Sequence, residues 1–148
     1  MDCIFCEFIN KRLKKHRGNY PFKILHETEH SLSFLSIDFP ATEDGHILVI
    51  PKKHYVNYED IPNKILLDLF KHIKLITKAL RIENQGNNLL LNNGAAAGQY
   101  IFHTHFHIIP RNDKDNIKIE VWKRKEITKE DYNKLHKKIK DKINQILL

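Results

Sequence analysis

His103-Thr104-His105-Phe106-His107-Ile108-Ile109-Pro110-Arg111 is the stretch of this 148-residue sequence that most constrains its fold and chemistry. Its three histidines alternate with other residues, among them Phe106 and Ile108. Successive side chains of a β-strand point to opposite faces, so a strand here would place the three imidazoles on one face, roughly 7 Å apart, with Phe106 and Ile108 in the core. Three titratable rings on one face reduce packing there, so the pattern indicates chemistry rather than a core.

The histidine run suits attack on phosphorus by one of its imidazoles. Neutral imidazole is available near neutral pH because its ordinary pKa is about 6.5. Attack would give a phosphoramidate that water later cleaves, dividing one difficult step into two. Neighbouring histidines could donate hydrogen bonds to the phosphate oxygens, and a backbone carbonyl could orient the other ring nitrogen of the nucleophile.

A loop rich in small residues, Asn92-Asn93-Gly94-Ala95-Ala96-Ala97-Gly98-Gln99, lies directly upstream. Its two glycines let backbone N–H groups approach an anion. By itself this pattern is equally compatible with a plain turn, but its position before the histidines favours the wall of a phosphate pocket.

The surrounding periodicities predict an α+β domain with an antiparallel sheet. Strands are expected at residues 22–26, 31–37, 46–50, 88–92 and 102–109, and helices at residues 62–83 and 129–147. Thr128, followed by Asp131 three residues later, resembles a capping box for the second helix. We expect the apolar stripes of both helices to face the core.

The charge and termini narrow the class of protein. Twenty-five Lys and Arg against 18 Asp and Glu give a net charge of +7, concentrated in residues 11–17 and after Arg111. This charge attracts phosphate in general or coats a solvated surface, and we do not expect a nucleic-acid partner. No run reaches 18 consecutive apolar residues and no leader precedes Cys3, so we expect a cytoplasmic protein without a membrane partner.

Cys3 and Cys6 form a C-x-x-C at the N-terminus. A disulfide between residues only three positions apart would stabilise an intracellular protein poorly. The pair could instead bind a metal ion, take part in redox chemistry or remain as two reduced thiols without a function.

Taken together, these motifs resemble the histidine triad (HIT) family, in its branch of small nucleotide hydrolases. The resemblance rests on the histidine run, on Gly45-His46-Ile47-Leu48-Val49-Ile50-Pro51-Lys52-Lys53-His54 and on Cys3-Ile4-Phe5-Cys6. It covers residues 3–111, whereas residues 112–148 match loosely as a C-terminal extension and helix. It implies a single HIT domain over residues 1–148, a five-stranded antiparallel sheet with two main helices, and a homodimer that joins two such sheets.

The resemblance also implies a role for each matching position. His105 is the expected nucleophile, His107 the phosphate donor, and the carbonyl of His103 orients His105. The expected substrate contacts are Ile4, Phe5 and Phe39 for the base, Asp38 (or Ser36, in another alignment) for the ribose, and Asn92, Gly98 and Gln99 for ribose and phosphate. Directly after the glutamine of this motif the family often has Ser or Thr, whereas this chain has Tyr100. Cys3, Cys6, His46 and His103 are the expected ligands of a structural zinc ion.

The implied activity is hydrolysis or transfer at the α-phosphate of a purine nucleotide conjugate through a nucleotidyl-histidine. The conjugate could be a nucleoside phosphoramidate or a dinucleoside polyphosphate. Two alternatives stay open: a nucleotide-binding adaptor with little turnover, and a metal-dependent hydrolase that uses the three histidines as ligands.

Overall fold

The structure, a computed structural model, describes residues 3–37, 44–119 and 121–148. Two of the expected substrate contacts, Asp38 and Phe39, lie outside the described residues. The chain forms two compact units, Met1–Asn116 and Ile117–Leu148.

The first unit is built on a five-stranded sheet in which every neighbouring pair is antiparallel. Its strands are β1 (Ile24–Glu27), β2 (Ser31–Leu35), β3 (Ile47–Pro51), β4 (Gly86–Leu91) and β5 (Phe106–Arg111), in the spatial order β1-β2-β3-β5-β4. The predicted antiparallel five-stranded sheet is therefore confirmed. The histidine-bearing strand β5 lies inside the sheet, between β3 and β4.

Strand alternation divides the apolar residues between two cores. On one face, Ile47 and Val49 of β3 pack with Phe106 and Ile108 of β5. This face is covered by α2 (Asn63–Leu80), which adds buried residues such as Leu69. On the other face, a second cluster contains Leu32, Phe34, Leu48 and Ile50 of the sheet and Phe5 and Phe8 of the short helix α1 (Ile4–Ile9). His107 has the parity of this second face.

Strand β5 begins four residues later than the sequence predicts, at Phe106 rather than 102. The reason is that the backbone before Phe106 makes hydrogen bonds outside the ladder of the sheet. The His103 N–H donates to the Ile101 carbonyl, and the Thr104 N–H donates to the Tyr55 carbonyl. The three histidines therefore do not lie on one regular strand. The rings of His105 and His107 are 4.8 Å apart, closer than strand spacing would place them.

Among its described residues, the second unit has one helix, α3 (Lys129–Leu147), whose bounds agree with those predicted. Thr128 caps it by accepting a hydrogen bond from the Asp131 N–H, as the capping pattern predicts. The expectation that its apolar stripe is buried is wrong, since no described residue of α3 is buried. Of the described helices, none is long and apolar enough to cross a membrane.

A buried polar network ties α2 to the sheet. His72 of α2 is 2% exposed, and its Nδ1 and Nε2 lie 2.9 Å from the hydroxyls of Ser31 and Ser33. The carboxylate of Asp68 accepts hydrogen bonds of 2.6 Å from Ser31 and Thr28. Burial, reinforced by nearby His26, lowers the pKa of His72 to about 4, against the opposing effect of Asp68. His72 is consequently neutral in the folded protein at pH 7.

This network predicts acid-sensitive folding. The unfolded chain protonates His72 near pH 6.5 and the folded chain only near 4, so the unfolded state binds more protons in this window and stability falls as the pH falls through it. The loss amounts to about 3 kcal/mol for full protonation of the unfolded state. Urea unfolding at a series of pH values should show that His72→Gln has a shallower decline from pH 7 to 4 than the wild type. Equal slopes in the two proteins would contradict this role.

Candidate active site and metal centre

His105 lies immediately before β5 with one ring nitrogen oriented by the backbone. Its Nδ1 is 2.7 Å from the carbonyl oxygen of His103, two residues earlier. A carbonyl only accepts, so Nδ1 carries the proton and Nε2 carries the lone pair. The side chain is 7% exposed, and burial lowers the pKa of His105, with His46 adding to the shift and the His103 carbonyl opposing it. The arrangement presents a neutral imidazole with its nucleophilic nitrogen defined.

His107 is the neighbouring ring on the same face of the sheet. Its Nδ1 lies 2.9 Å from Nε2 of His46, and the two rings stack with centroids 5.1 Å apart. The Nε2 of His107 is buried and has no hydrogen-bond partner among the described residues. Burial, followed by the influence of His105 and His46, lowers the pKa of His107 to about 3. A buried polar atom without a partner beside the His105 ring indicates a place for a ligand's polar group.

These rings open onto a cavity of about 570 Å³. At its polar end are His46, His105 and His107, together with Asn92, Gly98 and Tyr100. The remaining lining residues are Ile4, Phe5, Arg17, Ser36, Leu48 and Ile101. An apolar cleft with a few convergent polar groups is the usual form of a small-molecule site.

The cavity contains most of the substrate contacts expected within the described residues. Ile4, Phe5, Asn92, Gly98 and His107 line it, as does Ser36, the alternative to Asp38. Tyr100 also lines it, although its side chain is 93% exposed.

Gln99, an expected substrate contact, does not line the cavity. Its amide nitrogen donates to the carbonyls of Val56 and Ile101, and its oxygen accepts from the Gly94 N–H. The buried Gln99 side chain thus holds the shape of the loop. Gly94 and Gly98 have φ values of +90° and +86°, so the loop needs glycine at both positions.

A second cluster lies beside this cavity and could hold a metal ion. Its members are Cys3, Cys6, His54 and His103, whose ligand atoms all lie within 4.8 Å of one another. The expectation that His46 completes this set is therefore wrong. His46 directly precedes β3 and shares the parity of Leu48, which directs it to His107, whereas His54 lies in the turn after β3.

The donor set fits a tetrahedral ion. The Nδ1 of His103 lies 3.4 Å from Cys3 Sγ, 3.6 Å from Cys6 Sγ and 3.2 Å from Nδ1 of His54. A zinc tetrahedron with two sulfur and two nitrogen ligands has edges of about 3.3–3.8 Å. The Nε2 of His103 donates to the carbonyl of Pro51 at 2.9 Å, so its Nδ1 presents a lone pair to the cluster.

His103 belongs to both sites, and its role therefore differs from those of His105 and His107. Its side chain belongs to the cysteine cluster, while its carbonyl holds His105. Phe5, located between the two cysteines in sequence, makes edge contacts with both His103 and His105 at centroid distances of 5.7 and 5.3 Å. The triad does not converge on one point, which disfavours the alternative in which all three histidines bind one catalytic metal.

Two residues of these sites were missed by sequence reasoning. His54 stands at the end of the motif that runs from Gly45 to His54, but no local signal in the sequence distinguishes it from His46 as a metal ligand. Arg17 belongs to the basic run of residues 11–17, and charge alone did not indicate that it reaches a cavity.

Comparisons with known proteins agree with this architecture. The family model of the HIT domain matches residues 17–114. The adenosine 5'-monophosphoramidase of Saccharomyces cerevisiae is 36% identical over 141 residues, which cover 95% of this chain and 82% of the yeast protein. A crystal structure of a HIT family member from Bacillus subtilis superposes with a TM-score of 0.80 at 35% identity, covering 95% of this chain and 96% of that one. A zinc-bound histidine triad protein from Mycobacterium smegmatis superposes with a TM-score of 0.67 at 30% identity, covering 99% and 98%.

Proposed function

The chain belongs to the HIT domain family, and on that premise we propose that it is a hydrolase or transferase acting at the α-phosphate of a purine nucleotide conjugate, with His105 as the nucleophile. The observation that carries the proposal is the hydrogen bond of 2.7 Å from the His105 Nδ1–H to the His103 carbonyl. It leaves Nε2 unprotonated on a ring that lines the cavity.

The proposed reaction has two displacements at the α-phosphorus. In the first, Nε2 of His105 forms a P–N bond as the bond between phosphorus and the leaving group breaks, and the leaving group departs with a proton taken from solvent. In the second, water forms the new P–O bond and loses a proton to solvent, the P–N bond breaks, and the nucleoside monophosphate and the neutral His105 ring are released. Positive charge grows on the ring during attack, and the His103 carbonyl stabilises it through Nδ1–H.

His107 is proposed to hold the phosphate oxygens. To donate from Nε2 while neutral, its ring must accept at Nδ1, and Nε2 of His46 is 2.9 Å away as the donor. His46 is then a positioning residue for His107. A donor that is already oriented stabilises developing charge without reorganising at the moment of reaction.

The substrate class is supported by the relative's name and by the cavity. The yeast relative is named an adenosine 5'-monophosphoramidase, and a nucleoside phosphoramidate is accordingly the first substrate to test. Dinucleoside polyphosphates present the same nucleotide half. Ile4 and Phe5 provide an apolar wall for a base, and Asn92 and Gly98 lie near the phosphate end. Asp38 and Phe39 remain proposed contacts to ribose and base. An intact nucleophile argues against an adaptor with little turnover.

We also propose that the cysteine–histidine cluster binds one structural zinc ion through Cys3, Cys6, His54 and His103. Burial, with further contributions from Cys3, raises the pKa of the Cys6 thiol to about 11, and a cation bound there would favour its thiolate. Four protein ligands leave no open coordination position, so the ion would stabilise the segment that carries His103 rather than act on substrate.

A homodimer is the proposed assembly, with β4 and α2 at the interface. Strand β4 is an edge of the sheet, and a groove of about 580 Å³ lies between it and α2. Phe70 of α2 and Leu89 of β4 line this groove and are 46% and 42% exposed. A two-fold partner would cover the same apolar patch on both subunits and join the two sheets.

Replacement of His105 tests the nucleophile. His105→Ala should reduce turnover of adenosine 5'-phosphoramidate by about 1,000-fold or more, because the covalent step is lost, while AMP still binds. Mass spectrometry of acid-sensitive adducts should detect nucleotidylated wild type and no adduct in the variant. His136→Ala, on the exposed surface of α3, is the control. Turnover in His105→Ala within a few-fold of the wild type would overturn the mechanism.

Zinc analysis distinguishes the two possible ligand sets. Elemental analysis of untagged protein should find one zinc per chain, and the double variant Cys3→Ser/Cys6→Ser should lose it and melt at a lower temperature, since metal binding stabilises the fold. His54→Ala should lower the zinc content, whereas His46→Ala should leave it unchanged. Zinc loss from His46→Ala alone would restore the ligand set first predicted.

Light scattering tests the dimer. The wild type at micromolar concentration should have about twice the 17.6 kDa chain mass, and Phe70→Glu or Leu89→Lys should shift it to one chain by placing a charge in the interface. Leu75→Glu is a matched control, because Leu75 is an exposed leucine of α2 that does not line the groove. A wild-type mass of one chain would refute the assembly.

A further inference from the structure

The cavity continues into a smaller recess that His16 lines and that His46, His105 and His107 do not. This recess has a volume of about 100 Å³, and six residues line both spaces: Ile4, Phe5, Arg17, Ser36, Leu48 and Ile101. Neither the triad nor the loop residues Asn92, Gly98 and Tyr100 line the recess. If the α-phosphate lies at His105, the shared region is where the rest of the nucleotide, and above all its base, must lie.

Arg17 is the only lysine or arginine among the described residues that line either space. It belongs to the basic run that sequence analysis interpreted only as general phosphate attraction or a solvated surface. Its place at the apolar end of the cavity, with the hydroxyl-bearing Ser36, gives it a more specific environment. Planar guanidinium groups bind acceptors in pairs, which a single ammonium does not do.

The turn that carries Arg17 is anchored to the body of the unit. The His16 N–H donates to the Tyr20 carbonyl at 2.7 Å, and the Phe22 N–H donates to the Lys14 carbonyl at 2.9 Å. Gly18, with a φ of +72°, allows the chain to reverse between these bonds. The ring of His16 packs against Phe8, with centroids 4.8 Å apart, and so fixes the residue next to Arg17.

We propose that Arg17 reads the edge of the base and makes this protein selective for 6-oxopurine nucleotides, those of guanine and hypoxanthine. The inference rests on the proposed function, in which the cavity binds a purine nucleotide. Guanine and hypoxanthine present two adjacent acceptors, O6 and N7, and a guanidinium donates to both at once. Adenine replaces O6 with an amino donor, which faces the guanidinium donors unfavourably. Ile4 and Phe5 then contact the faces of the base, which are similar in all purines.

Binding of AMP, IMP and GMP to the wild-type protein tests the selectivity by calorimetry. IMP is the decisive ligand, because it shares the 6-oxo group with GMP and lacks the 2-amino group. IMP and GMP should bind more tightly than AMP by roughly 5- to 150-fold, the range that one bidentate contact supplies. Equal affinities for AMP and IMP in the wild type would overturn the proposal and leave the nucleotidyl-His105 mechanism intact.

Variants assign the selectivity to the side chain. Arg17→Ala should weaken IMP and GMP binding to the level of AMP with little change for AMP itself, and Arg17→Lys should restore only part of the preference. Lys15→Ala, in the same turn but outside both cavities, should behave as the wild type. A uniform loss of affinity for all three nucleotides in Arg17→Ala would assign the residue to phosphate or stacking and refute base reading. Failure of the wild type to bind any of them would refute the proposed function as well.

Discussion

The hydrogen bond from the His105 Nδ1–H to the His103 carbonyl is the interaction on which the rest of the site depends. It selects one tautomer of a neutral ring and leaves Nε2 as the atom that can attack. The bond requires that the backbone at His103 leaves the regular strand, because a strand carbonyl at that point would be directed at a neighbouring strand. The late start of β5 is thus a condition for the chemistry that we propose for His105.

His103 holds that backbone in place from two directions. Its Nε2–H donates to the carbonyl of Pro51, at the end of β3, and its Nδ1 belongs to the cluster with Cys3 and Cys6. The N-terminal segment that carries the cysteines also carries Phe5, which contacts both His103 and His105. The cysteine–histidine cluster, the apolar wall and His105 are consequently parts of one packed arrangement, in which a change at the cysteines would alter the position of His105.

The sheet explains why the polar and apolar parts of the molecule separate so cleanly. In β3 and β5, residues of one parity pack under α2 and residues of the other parity face α1 and the cavity. Leu48 and His107 are register partners, so the histidine that would hold phosphate is adjacent to an apolar residue of the cavity wall. A shift of one residue in this register would bury His107 beneath α2 and expose Ile108. The apolar pattern of the strands therefore fixes the register that directs His107 into the cavity.

The sequence by itself determined the five antiparallel strands, the bounds of α3 with its Thr128 cap, the HIT resemblance and the presence of His105 and His107 at one site, because alternation, capping and short motifs are local signals. Tertiary structure alone decided which histidine joins the cysteines: His46 and His54 are both near β3, and only strand parity and the turn after Pro51 separate them. It likewise turned Gln99 inward and brought Arg17 to the cavity, since both depend on contacts between segments far apart in sequence. The apolar stripe of α3 shows the same limit, because periodicity identifies an apolar face but does not state whether anything covers it.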